Sequence, residues 1–210
     1  MSPTIRRLST PEFTVNAPTL VDIYIRAMNY DPAIRDARIG VWRRNALNPG
    51  FTAVCATFDD AVAGIAYGFT GSPDHWWQRQ LRRGLREHGG PTPDQVDLLH
   101  DYFEVAEVHV LPSHQGRGIG RSMMRELLGS IPASAAILST PEVAHEDNYA
   151  FGLYRSLGFG DLLRHFRFDG DQREFAVLTA PLPLPLAAGA PGSPNPGSGG
   201  HSVGGADRAS

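Results

Sequence analysis

Apolar residues recur along the chain at two spacings, about 3.6 and about 2.0 residues, and the switches between them lay out the elements. Leu20, Ile23, Tyr24 and Ala27 fall at helical spacing, with Asn16 placed to cap the helix that carries them. Ile34, Ala37, Val41 and Trp42 repeat the pattern after Pro32. The runs FTAVCATF and AVAGIAYGF, starting at Phe51 and Ala61, read as two strands joined at Asp59–Asp60. Between residues 72 and 101 two short helices flank a Gly/Pro turn. There Trp77, Leu81 and Leu85 share one face, while Arg79, Arg82, Arg83 and Arg86 form either a solvated face or a surface for an acidic partner or for phosphate.

A strand from Tyr102 to Leu111 then meets a glycine-rich turn, and a helix opens at about Gly118. Ile119, Met123, Met124, Leu127 and Leu128 build the buried stripe of that helix. The short apolar run AAILST reads as a strand, followed by a helix capped at Asp147 or Asn148 and stopped at Gly158. Its stripe is Ala150, Leu153, Tyr154 and Leu157. Two strands near LLRHFRF and REFAVLTA complete the order, which specifies an α/β (α+β) domain: a mostly antiparallel sheet with a parallel pair at its centre, flanked by helices. The domain is expected to span residues 1–183, with a helical insertion at about 72–101. The Pro/Gly/Ser-rich stretch from 184 to 210 lacks the apolar surface to offset its ordering entropy and is expected to be disordered.

Composition narrows the class. The net charge of −3 gives no reason to expect nucleic acid, and no apolar run approaches a membrane span. The single cysteine, Cys55, excludes an internal disulfide and a multi-cysteine metal site; the expected compartment is the cytoplasm, with no metal. All 19 basic residues are arginine. Coding bias accounts for this, and exclusion of lysine to prevent self-modification is the sharper alternative.

The chemistry gathers in QGRGIG, Gln115 to Gly120. Glycines at 116, 118 and 120 leave successive N–H groups unobstructed, and the helix that follows adds unpaired N–H groups and the positive end of its dipole. Arg117 and Arg121 add charge, so the preferred guest is an anion, with a pyrophosphate the first expectation. A P-loop lysine is missing, and Arg121 occupies the third-glycine position of a dinucleotide fingerprint. The glycines alone are also compatible with a plain tight turn.

The spaced set Val110, Pro112, Gln115, Gly118 and Gly120 resembles the Q/R-x-x-G-x-G/A signature of the GNAT superfamily of N-acetyltransferases. Asn148, Ala150, Leu153, Tyr154, Gly158 and Phe159 are similar to that family's later helix, and LSTPE and EDN resemble a bacterial branch that includes protein-lysine acetyltransferases. The resemblance implies a sheet that splays between the strands around Val110 and Leu138, binding acetyl-CoA as cosubstrate. It places the pantetheine along Val108 and Val110, an oxyanion-stabilising N–H near Val110, and the diphosphate on Gln115, Gly116, Arg117, Gly118, Ile119, Gly120 and Arg121. Asn148 is either a pantetheine contact or a helix cap. A general base is implied for the amine acceptor, with Glu107 first and Glu104 second. Strand parity sets these two on opposite faces unless a bulge intervenes. Tyr154 is implied as the proton donor to the thiolate. His109, one position from Val110, is read as structural. The acceptor is expected to be a protein lysine ahead of a small amine, the protein a monomer or homodimer, and a non-catalytic acetyl-CoA sensor is the alternative.

Overall fold

The computed structural model describes residues 3–59 and 61–185. The expected disorder from 186 onward lies outside the described residues; Leu184 and Pro185, assigned to the tail from sequence, contact the domain. Leu184 packs against the core, and the Pro185 carbonyl accepts a hydrogen bond from Arg125.

Seven strands form one sheet: β1 (Thr4–Leu8), β2 (Thr52–Phe58), β3 (Ala61–Thr70), β4 (Tyr102–Val110), β5 (Ala135–Pro141), β6 (Gly160–Phe166) and β7 (Phe175–Pro181). Their spatial order is β1-β2-β3-β4-β5-β7-β6. Only β4 and β5 run parallel; every other neighbouring pair is antiparallel, as the alternation of patterns requires. Six α-helices accompany the sheet in the described residues: α1 (Thr10–Met28), α2 (Arg35–Asn45), α3 (Trp76–Glu87), α4 (Pro93–Leu98), α5 (Ile119–Leu128) and α6 (Tyr149–Ser156).

Two sequence expectations are corrected here. Helix α1 begins at Thr10, not after Asn16. Ser9 accepts from the Glu12 N–H while the Glu12 carboxylate accepts from Ser9 N–H, a reciprocal cap of the kind whose loss costs about 1 kcal/mol. Asn16 sits inside the helix and donates to the Glu12 carbonyl. Strand β1 was not expected, because its charged sequence TIRRL buries only Leu8 well; it pairs as an edge strand with β2.

The core divides into three clusters that position the site. On one sheet face Met123, Met124 and Leu127 of α5 meet Phe151 and Leu157 of the α6 segment, over Val105, Leu138 and Leu178. Phe151, omitted from the sequence-read stripe, is fully buried. On the opposite face α1 and α2 cover the first half of the sheet with Phe13, Tyr24 and Trp42 over Ile65 and Tyr67. The insertion covers the second half of that face: Leu81 and Leu85 of α3 pack on Ile137, Leu163, Phe166 and Val177. Gly84 permits this approach, since a Cβ there would lie 2.7 Å from Leu163 Cδ1. Strand β4 runs along the seam between the α1–α2 and α3–α4 layers.

Candidate active site

Strands β4 and β5 pair over three residues only, Tyr102↔Ala135, Phe103↔Ala136 and Glu104↔Ile137. Past Glu104 the parallel ladder stops, while β5 stays paired with β7 as far as Pro141 and β4 with β3 as far as Val110. The backbone edges facing one another across that gap are therefore open to a guest that lies like a strand. The gap begins lower than the expected position around Val110 and Leu138 and contains both.

Above the gap, the glycine turn opens α5. Gly116 and Gly118 adopt positive φ values of 74° and 76°, and Gly118 caps α5 without a side-chain hydrogen bond. The helical ladder starts with Ser122 N–H to the Gly118 carbonyl. Among the described residues the N–H groups of 116 to 121 find no acceptor in the turn, so they are available to an external anion. Gln115 Nε2 donates to the Val110 carbonyl at 3.0 Å and ties the turn to the end of β4. Arg117 and Arg121 are exposed beside it. This set of unbonded donors under positive side chains, continuous with an open strand edge, fits a diphosphate carrying an extended arm.

Turn and gap form one cleft of about 660 Å³, lined by Val108, His109 and Val110 of β4, Gln115, Gly116, Gly118, Ile119, Gly120 and Arg121 of the turn, and residues of α6 and α1. The structure thus brings together nearly all of the expected cosubstrate positions. Asn148 also lines the cleft, yet its Oδ1 accepts from Phe151 N–H at 2.8 Å and caps α6. Ile119 turns its side chain into the core.

The two glutamates differ sharply. The register between β3 and β4 shifts at Tyr67/Gly68, so that Tyr67 faces Glu107 and Gly68 faces Val105, leaving Ala106 as the extra residue of a bulge. Glu104 and Glu107 consequently share the α1 side of the sheet. Glu104 is buried; burial pushes its carboxyl up to about 8, and its Oε2 finds no partner. His75 Nδ1, at the cap of α3, lies 4.0 Å from that oxygen. Glu107 instead accepts a 2.6 Å hydrogen bond from His109 Nε2. The His109 ring packs edge-on against Tyr24 of α1, centroids 4.9 Å apart. Sequence reasoning set His109 aside; strand parity alone puts 107 and 109 on one face, and the bulge adds Glu104 to it.

Tyr154 reaches the cleft from α6. Burial, and secondarily the Glu107 carboxylate, raise its phenol above the ordinary value, which keeps the proton on oxygen. On the far side Arg173, in the β6–β7 loop, donates to Tyr30 Oη at 2.8 Å and joins that loop to the segment after α1. Cys55 is buried in β2. Among the described residues one His/Glu grouping does assemble, Glu142, His165 and Glu174, a set that their sequence separation hides. Arg164 and Arg167 already pair with its two carboxylates.

Comparison with known proteins agrees with this geometry. Residues 87–160 match the family model described as an acetyltransferase (GNAT) domain. The chain is 37% identical over 184 residues to the GCN5-like protein acetyltransferase Rv2170 of Mycobacterium tuberculosis, covering 77% of this chain and 89% of that protein. It is 41% identical over 71 residues to the N-alpha-acetyltransferase RimI of the same organism, 32% of this chain and 43% of that one. Among solved structures it resembles yncA of Salmonella typhimurium with its cofactor acetyl-CoA, with a TM-score of 0.58, 17% identity and coverage of 87% of this chain and 95% of that chain. The chain belongs to the GNAT family of acetyltransferases, enzymes that take acetyl-CoA as cosubstrate. No helix among the described residues is long and apolar enough to cross a membrane.

Proposed function

We propose that this protein transfers the acetyl group of acetyl-CoA to the amine of a protein lysine, acting in the cytoplasm. The observation that carries the reading is the junction of an interrupted β4–β5 ladder with a turn whose N–H groups are unbonded, in a chain 37% identical to a protein acetyltransferase. The N–H groups of residues 116–121, with Arg117 and Arg121, hold the diphosphate, and the open edge of β4 at Val108 and Val110 holds the pantetheine. A main-chain N–H near Val110 faces the thioester oxygen as charge develops there. Glu107, rather than the buried and isolated Glu104, supports removal of the amine proton, and Tyr154 gives its proton to the departing sulfur.

A second reading, transfer to a protein N-terminal amine, is favoured by the likeness to RimI over the 71 matched residues. Labelled acetyl-CoA supplied with a host lysate separates the two. Enzyme-dependent label on lysine side chains supports the first reading, label on N-terminal amines the second, and label confined to small molecules overturns both.

A further inference from the structure

Among the described residues no carboxylate lines the cleft. Its lining includes the titratable residues His109, Tyr154, Arg121 and the exposed Tyr149, while Glu107 is not among the lining residues and its Oε2 lies 2.6 Å from His109 Nε2. An arginine keeps its proton at any working pH, and the buried phenol of Tyr154 holds its own, so neither is a proton acceptor. We propose that the amine proton is taken at Nδ1 of His109, with Glu107 acting through the imidazole as the positioning residue; the proposal rests on the amine-transfer reading above.

The geometry sets the tautomer. An ionised carboxylate only accepts hydrogen bonds, so the 2.6 Å contact with Glu107 Oε2 places the ring hydrogen on Nε2. In the neutral ring the lone pair is then on Nδ1, which makes no hydrogen bond among the described residues. Tyr24, edge-on at 4.9 Å, limits how far the ring can turn. A carboxylate behind an imidazole fixes its orientation and stabilises the imidazolium that forms, the logic that recurs wherever a histidine accepts a proton beside a nucleophile. An imidazole is a stronger base than an ordinary carboxylate, so proton transfer from the attacking amine is less uphill.

The step balances without any further reactant. As the amine nitrogen bonds to the thioester carbon, one N–H proton passes to His109 Nδ1. The C–S bond breaks, and the thiolate takes the proton of Tyr154. Transfer of a proton from the imidazolium to the tyrosinate, through solvent, restores both side chains.

The test combines kinetics with a measurement that needs no turnover. His109→Gln, whose amide still reaches Glu107, is expected to lower kcat about 100-fold with KM for acetyl-CoA within about threefold, and free imidazole is expected to restore activity to His109→Ala. Nitrogen-15 NMR of the folded protein is expected to show His109 as the Nε2–H tautomer, and Glu107→Gln to weaken that preference. A His109→Gln enzyme within threefold of the parent, alongside a Glu107→Gln enzyme reduced 100-fold, would assign the proton to the carboxylate and overturn the proposal. An Nδ1–H tautomer would overturn it independently, including where a variant fails to fold. A parent protein that acetylates no amine would sink the transferase reading instead, and the NMR result would then judge the pairing alone.

Discussion

Glu104 and Glu107 lie three residues apart on one strand and face the same side of the sheet, because Ala106 is displaced from the β3–β4 ladder between them. Without the bulge, one of the two would point among α5 and α6. With it, both project toward α1 and α3, where they meet different fates: Glu107 bonds to His109, and Glu104 is shut in without a partner.

That isolation makes stability depend on pH in a defined direction. Burial raises the Glu104 carboxyl from about 4.5 to about 8, so between those values the folded protein holds a proton that the unfolded chain has released. Its stabilising contribution is full below the lower value and is lost as pH rises through the window. Glu104→Gln removes the titration, so relative to the parent it should gain on the order of a few kcal/mol between pH 5 and pH 9. Urea unfolding of both proteins at pH 5, 7 and 9 checks this; a stability difference independent of pH would mean that the carboxyl is not held neutral.

Tyr154 occupies the cleft wall with its phenol kept protonated by burial. If Tyr154 gives its proton to the departing sulfur as proposed, Tyr154→Phe should lower kcat about 10- to 100-fold while leaving coenzyme A affinity within about twofold. Steady-state kinetics with calorimetry separates the two. An equal loss in affinity would make Tyr154 a binding residue.

The turn at Gly116 and Gly118 makes a different demand. Both have positive φ, and a Cβ at Gly118 would meet no atom within 4 Å, so alanine there costs backbone strain of about 1–2 kcal/mol rather than a clash. Gly116→Ala and Gly118→Ala should each reduce coenzyme A affinity about tenfold by withdrawing N–H groups from their common direction. Calorimetric titration of each folded variant decides; affinity within threefold of the parent would separate the turn from the diphosphate.

Gly84 tests the role of the insertion. A Cβ there would lie 2.7 Å from Leu163 Cδ1 and 2.8 Å from Phe166 Cε2. Gly84→Val should therefore cost about 2–3 kcal/mol by forcing α3 off β6. A urea midpoint unchanged from the parent would show that α3 does not depend on this contact.

The elements that frame the candidate site were more legible in the sequence than their fine geometry. The β4–turn–α5 unit was legible because periodicity changes from 2 to 3.6 across Gln115–Gly120, where local chemistry leaves few alternatives. Helix α1 began seven residues before the expected start because the pattern beginning at Leu20 conceals the Ser9/Glu12 cap, and Pro18 suggests a start where the helix continues. The bulge at Ala106 had no local signal: it is a matter of register against β3, decided by packing on both strands. The partnership of Glu107 and His109 was different: residues two apart on a strand share a face, but nothing local showed that the two side chains meet. The fate of the arginines on α3 was equally non-local. Arg83 lies against Phe166 and donates to the Arg167 carbonyl, contacts made to a segment more than eighty residues away.

The three-pair seam between β4 and β5 has one more consequence. It divides the sheet into a four-stranded and a three-stranded portion, and backbone hydrogen bonding between them ends where the cleft begins. A cosubstrate lying in the opening completes the weave, so its binding energy is also cohesion for the fold. Saturating coenzyme A is therefore expected to raise the protein's resistance to unfolding as well as to supply its acetyl group.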